Sequence, residues 1–292
     1  MKKSILFGVV CAAVLFISTF VACNSNEPQL SGTNPSNDDP YVELMQNLDD
    51  FHADYMANHP SEGSRGFRDF FRKLKNCVRA DFYGSRFSLR PFVITIILSP
   101  SASYEGWING YSIASQDEYD ECTAKLIQNE NLLCQINDLS SDEGDSGYLH
   151  NKILIELFKR CTPNDSYIKV VKTAVKIYAE LTNIKVSAND AKVMISDLKD
   201  FMENVVDESD DVMAERMKVR FPQKANEIDV MKNYFVNIQN LNSIEEVHAY
   251  TLQYKAIIDA SKISDSERMD LVSSIGIAPA SMELWSKVIT ED

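Results

Sequence analysis

Glycine and proline are scarce in this chain, at 10 and 9 of 292 residues, and past residue 22 there is no long apolar run. That sets aside the glycine- or proline-rich fibrous and low-complexity classes and leaves an ordinary globular fold. Histidine is scarcer, with four copies: His52, His59, His150 and His248. His52 and His59 stand seven residues apart, about two helical turns, so they share a face but are too distant to hold one ion together. Neither His-Glu-x-x-His nor Cys-x-x-Cys occurs, which removes zincin, zinc-ribbon and thioredoxin-type sites. Also missing are the Gly-x-Ser-x-Gly elbow, the Gly-x-x-x-x-Gly-Lys phosphate loop and the dinucleotide fingerprint. The acidic stretch 138–145 (DLSSDEGD) is superficially like a calcium loop. It has Glu143 where an EF-hand needs glycine and Leu149 where it needs a bidentate acid. No metal and no cofactor are expected, and a non-catalytic role is favoured. Basic charge is short as well: 29 Lys and Arg face 43 Asp and Glu, a net charge of −14. A surface of that sign repels nucleic acid and argues against a DNA or RNA partner.

What is present begins with a leader. Lys2 and Lys3 form a short basic start, residues 5–21 are almost unbroken in apolar character, and Val21-Ala22 precede Cys23. As an uncleaved anchor this stretch is marginal, because about 17 residues at roughly 1.5 Å each fall short of a hydrocarbon core of about 30 Å. Val21-Ala22-Cys23 resembles the lipobox of bacterial lipoproteins, with Phe20 where a leucine is usual. The resemblance implies that residues 1–22 are a cleaved signal peptide and that Cys23 is acylated. It places the protein in the bacterial cell envelope, at the outer membrane or cell surface in preference to the inner membrane. The membrane is then a partner through the lipid on Cys23. Loss of Lys2 and Lys3 takes the mature charge to −16. Residues 23–38 carry Ser, Asn, Pro and Gly with almost nothing apolar, and read as a flexible tether.

Residues 39–292 read as a helical body, with a subdivision possible near 115–145. Asp39-Pro40 is a cap followed by a first-turn proline, after which Leu44, Leu48, Phe51 and Tyr55 recur at helical spacing up to His59-Pro60. Ser115-x-x-Glu118, Ser243-x-x-Glu246 and Ser264-x-x-Glu267 match the capping box, and Ser187-x-x-Asp190 is a weaker version. Apolar stripes follow: Ile153, Leu157, Cys161; Ile168, Val171, Val175, Tyr178, Leu181; Met194, Leu198, Phe201, Val205; Ile228, Met231, Phe235, Ile238; Val247, Tyr250, Tyr254, Ile257. The expected fold is an all-α, irregular bundle of roughly nine helices. Residues 92–98 are β-branched but have no partner strand, so a buried helical or extended segment broken at Pro100 is expected. Ala102, Gly106, Gly110 and Ala114 then present small side chains on one face for close packing. Cys77, Cys122, Cys134 and Cys161 are read as buried thiols, with pairing left open.

Two places could carry function. Arg65, Arg68, Arg72, Lys73, Lys75 and Arg79 lie along a helix expected over 65–83, opposite Phe67, Phe70, Phe71, Leu74 and Val78. This basic face could pair with the chain's own acids, dock an acidic partner or lie on a membrane. Gly147-Tyr148-Leu149-His150-Asn151 is the second place. Its histidine and asparagine would stand in the first turn of a helix, where N–H groups could hold an anion, or would serve as caps and anchors. The stretch resembles a G-x-x-H-N signature in exported bacterial lipoproteins of unassigned function. The C-terminal end, with Ser264, Glu267, Ser281 and Trp285, is similar to theirs as well, and the resemblance implies no particular activity. The readings are a non-catalytic envelope protein binding a protein or glycan, a hydrolase or lyase using His150 with carboxylates of 138–145, or a membrane-active protein acting through 65–83.

Overall fold

A computed structural model describes residues 39–59, 93–110, 115–133, 146–204 and 208–288. The leader, Cys23, the tether, the basic segment 65–83, Cys77, Cys134 and the acidic stretch 138–145 lie outside the described residues. Within them the protein is all-α: ten α-helices, one 3-10 turn and no strand.

Helix α1 spans Pro40–Asn58, α2 Val93–Gly110, α3 Gln116–Leu133, α4 Ser146–Arg160, α5 Tyr167–Thr182 and α6 Ala188–Asn204. Then come α7 Asp210–Arg220, the 3-10 turn Pro222–Lys224, α8 Ala225–Ile238, α9 Ile244–Ala260 and α10 Asp265–Ser286. Helix α4 sits at the middle, packed on α2, α3, α5 and α10, while α10 also reaches α8 and α9, and α1 closes over α8 and α9.

The serine starts work as the capping logic requires. Ser264 accepts from the Glu267 N–H while the Glu267 carboxylate takes the Ser264 N–H, a complete capping box. Ser115 and Glu118 exchange the same two bonds at α3. Ser243 accepts from the Glu246 N–H, but there the glutamate turns to the Asn242 N–H instead. Ser187 caps α6 through the Asp190 N–H. Ser264→Ala removes one of these caps from an exposed start and should cost about 1 kcal/mol, read by urea unfolding. A change below a few tenths would mean that the box adds nothing to α10.

Three expectations change. Helix α2 runs through Pro100 rather than breaking there. Proline withdraws only the donor to the Ile96 carbonyl, in the first turn, while burial of Ile96, Ile97 and Leu98 holds the segment helical. Ile168 and Leu181 are exposed at 40% and 36%, and the buried face of α5 is Val170, Val171, Ala174, Ile177 and Tyr178. Helix α4 starts at Ser146, with Gly147 buried in its first turn, so His150 and Asn151 open the second turn and not the first. Helix α7 was announced by no stripe; its buried residues are Met213, Ala214 and Met217. Asn183 ends α5 at φ 58°, a left-handed position its short amide tolerates.

Two clusters brace the bundle. Tyr250 of α9 packs on Phe51 and Tyr55 of α1 with ring centroids 4.9 and 5.1 Å apart, and its hydroxyl stands 3.3 Å from His52 Nδ1. Burial lowers the His52 pKa despite the nearby Asp49 charge. On the other side Glu130 of α3 binds Lys152 and Lys159 of α4, and Arg160 joins Glu156 to Glu180 of α5. Burial opposes charge on Glu130, yet hydrogen bonds from the two lysines hold its carboxyl below the ordinary value.

Candidate functional site

Helices α2, α4 and α10 enclose a polar seam in the core. From α4 come Ser146, His150 and Asn151; from α2 come Ser99, Ser101 and Ser103; from α10 come Ser273, Ser281 and Trp285, all buried. Two of the groups on α4 face α10 and the third faces α2. Ser146 donates to the Ser273 carbonyl at 2.9 Å, and Asn151 donates through Nδ2 to the Ala280 carbonyl at 3.1 Å. The second acceptor, Ala280, directly follows Pro279, a residue that supplies no N–H to the α10 ladder. Gly147 places no side chain between α4 and its neighbours at the turn where Ser146 makes its contact.

His150 turns the other way. Its Nδ1 lies 3.1 Å from the Ser99 hydroxyl, with both residues fully buried. Burial pushes the His150 pKa down from 6.5 to about 3, so the imidazole is neutral wherever the fold persists near neutral pH. A hydroxyl beside a neutral imidazole is the pairing a serine nucleophile uses. Here both partners are sealed between helices, and the contact acts as a clamp joining α2 to α4.

One turn along α2 the Trp285 indole donates to Ser103 Oγ at 3.3 Å and stacks on Trp107 at 4.5 Å. Farther out, Tyr119 lies 3.0 and 2.9 Å from the carbonyls of Phe158 and Cys161 at the end of α4. Its single proton is committed to those carbonyls, so Tyr104 donates to the Tyr119 oxygen across 3.1 Å. This satisfies orphan carbonyls of a helix C-terminus without solvent. Burial raises both tyrosine pKa values, and it pushes the Cys122 thiol up to about 12. Cys122 and Cys161 are free and buried.

The structure therefore joins two pieces that were separate in the sequence. Asn151, beside His150, reaches the α10 carbonyl that precedes Ser281, and Trp285 of α10 meets Phe158 farther along α4, whereas Ser264 and Glu267 stand apart as the α10 cap. His150 and Asn151 lie in the second turn of α4, past the free N–H groups of its start, and their side chains contact α2 and α10. His52 sits on α1 and His59 just past its end, where it stacks on Tyr55 at 4.2 Å. Among the described residues no group of three or more His, Cys, Asp or Glu converges as a metal would need. Ser99, Ser101 and Ser103 were missed as seam residues; alternate serines directly after the β-branched stretch were the available signal. Arg65, Arg68, Arg72, Lys73, Lys75 and Arg79 lie outside the described residues. No family model, curated protein or solved structure matches the chain.

Proposed function

We propose that this chain is a lipid-anchored protein of the bacterial cell envelope that binds a protein or glycan partner and catalyses no reaction. The observation that carries the non-catalytic half is the complete burial of His150 and Asn151, whose hydrogen bonds to Ser99 and the Ala280 carbonyl hold helices together. The strongest candidate for chemistry is thereby a framework element, which leaves the work to the surface. The anchoring half rests on the basic-then-apolar leader ending at Cys23.

Cys23→Ser should move the protein from the membrane fraction to the soluble fraction and abolish labelling by a palmitate precursor, because the acyl chains supply the attachment. Retention in membranes would instead identify residues 5–21 as an uncleaved anchor. The released chain, immobilised and exposed to envelope extract, should retain a partner that a column of the heat-unfolded chain does not. The hydrolase or lyase reading requires His150 to meet solvent, a condition the proton-uptake experiment in the Discussion decides.

A further inference from the structure

The exposed face of α7 carries two valines between side chains of opposite charge. Six of its residues, Asp211, Val212, Glu215, Arg216, Val219 and Arg220, line a shallow cleft of about 600 Å³ together with Asp200 of α6. Val219 is 83% exposed and Val212 41%, on a helix of eleven residues whose other side is buried through Met213, Ala214 and Met217. At 3.6 residues per turn the two valines project in nearly the same direction. Asp211 and Glu215 fall on one flank of that ridge, and Arg216 and Arg220 on the other. An apolar ridge with acids on one side and bases on the other is complementary to itself.

We propose that two copies associate through α7, with the helices parallel about a two-fold axis that runs along them. That rotation carries the basic flank of one copy to the acidic flank of the other. Glu215 then meets the second copy's Arg216 on both sides of the ridge, while Val212 and Val219 meet their own counterparts. The antiparallel alternative sets Glu215 against Glu215 and Arg216 against Arg216, which like-charge repulsion disfavours. Glu215 and Arg216 have partners in their own chain, Lys218 and Glu208, yet their side chains remain 67% and 51% exposed and can share a second contact. Arg220 is fixed from behind by Asp197 and Asp200. The whole helix is only about 16 Å long and buries less than the roughly 800 Å² per partner of a stable complex, so the pair is weak and forms where copies are concentrated.

Pairing through α7 is independent of whether Cys23 carries lipid. The full chain carrying Val219→Cys, purified at high concentration, is treated with copper-phenanthroline beside the unsubstituted chain and a Lys172→Cys chain, whose new thiol sits on the exposed side of α5. Val219→Cys should give a disulfide-linked dimer well above both controls. Because the two-fold doubles each contact, adding Glu215→Arg turns two attractions into two repulsions and should lower that yield about tenfold. Adding Arg216→Glu as well restores complementarity with the flanks exchanged, and should restore the yield. Crosslinking no greater than from Lys172→Cys, or a yield indifferent to the charge exchange, would overturn the proposal. So would preferential linkage in a mixture of Val212→Cys and Val219→Cys chains, which marks the antiparallel pair.

Discussion

Trp285→Ala should lower the free energy of unfolding by about 4 kcal/mol, within the range for deleting a buried tryptophan or phenylalanine. Trp285 is fully buried, stacks on Trp107, meets the edge of Phe158 at 6.0 Å and donates its indole proton to Ser103. Truncation removes a large apolar surface from the junction of α2, α4 and α10 and leaves the Ser103 hydroxyl short of a donor. Collapse into the space is resisted because three helices, each fixed by other contacts, would have to shift together. In a body of this size the loss corresponds to a fall in melting temperature on the order of 10 °C. Trp285→Phe should cost less than half as much, since it keeps ring contact with Trp107 and Phe158 and forfeits mainly the hydrogen bond. Urea unfolding followed by far-ultraviolet circular dichroism measures both. The chain has two tryptophans, so the variant also leaves Trp107 as the sole fluorescence reporter of the same seam. A Trp285→Ala cost under about 1 kcal/mol would mean that the seam is not packed as described.

The helices at which Ser115, Ser187, Ser243 and Ser264 stand were legible because a cap is a local device: the hydroxyl, the acid three residues on and the N–H it satisfies all sit within one turn. The stripes on α8 and α9 were legible for a related reason, as large apolar side chains mark the core face without ambiguity. Helix α5 was misphased at its ends. Its core centre is Ala174, which gives a weak apolar signal, and Ile168 and Leu181 sit near the helix ends and remain exposed. Helix α7 was invisible because its exposed face carries Val212 and Val219, so burial and hydrophobicity do not coincide there. Pro100 was misread for a tertiary reason. A proline's cost depends on which carbonyl loses its donor and on how firmly neighbours hold the segment, neither of which is written nearby in the chain. Ser99 and His150 are 51 residues apart in sequence and nothing local announces that they touch.

His150 should make the protein lose stability as the pH falls, in a window set by its own depressed pKa. In the unfolded chain the imidazole takes up a proton near pH 6.5, whereas in the fold burial holds its pKa at about 3. Between those values the unfolded state binds a proton that the folded state refuses, so stability is full above about pH 6.5 and declines as the pH drops toward 3. The decline approaches 1.4 kcal/mol per pH unit and totals on the order of 5 kcal/mol across the window. Carboxylates such as Glu130 and Glu156, whose pKa values are lowered, weaken the fold in the same direction at the acid end, and His52 adds a smaller contribution of the same sign. Comparison with His150→Gln isolates the buried ring, because those other groups are common to both proteins. The variant should be less stable at pH 7, and the gap between the two should narrow by about 2 to 3 kcal/mol between pH 6.5 and 4.5. Denaturant unfolding at four or five pH values gives the slope. A gap that stays constant with pH would show that the folded protein protonates His150 as readily as the unfolded chain does, which requires water at the ring. In that case Ser99 and His150 are an accessible hydroxyl–imidazole pair, and the enzymatic reading replaces the structural one.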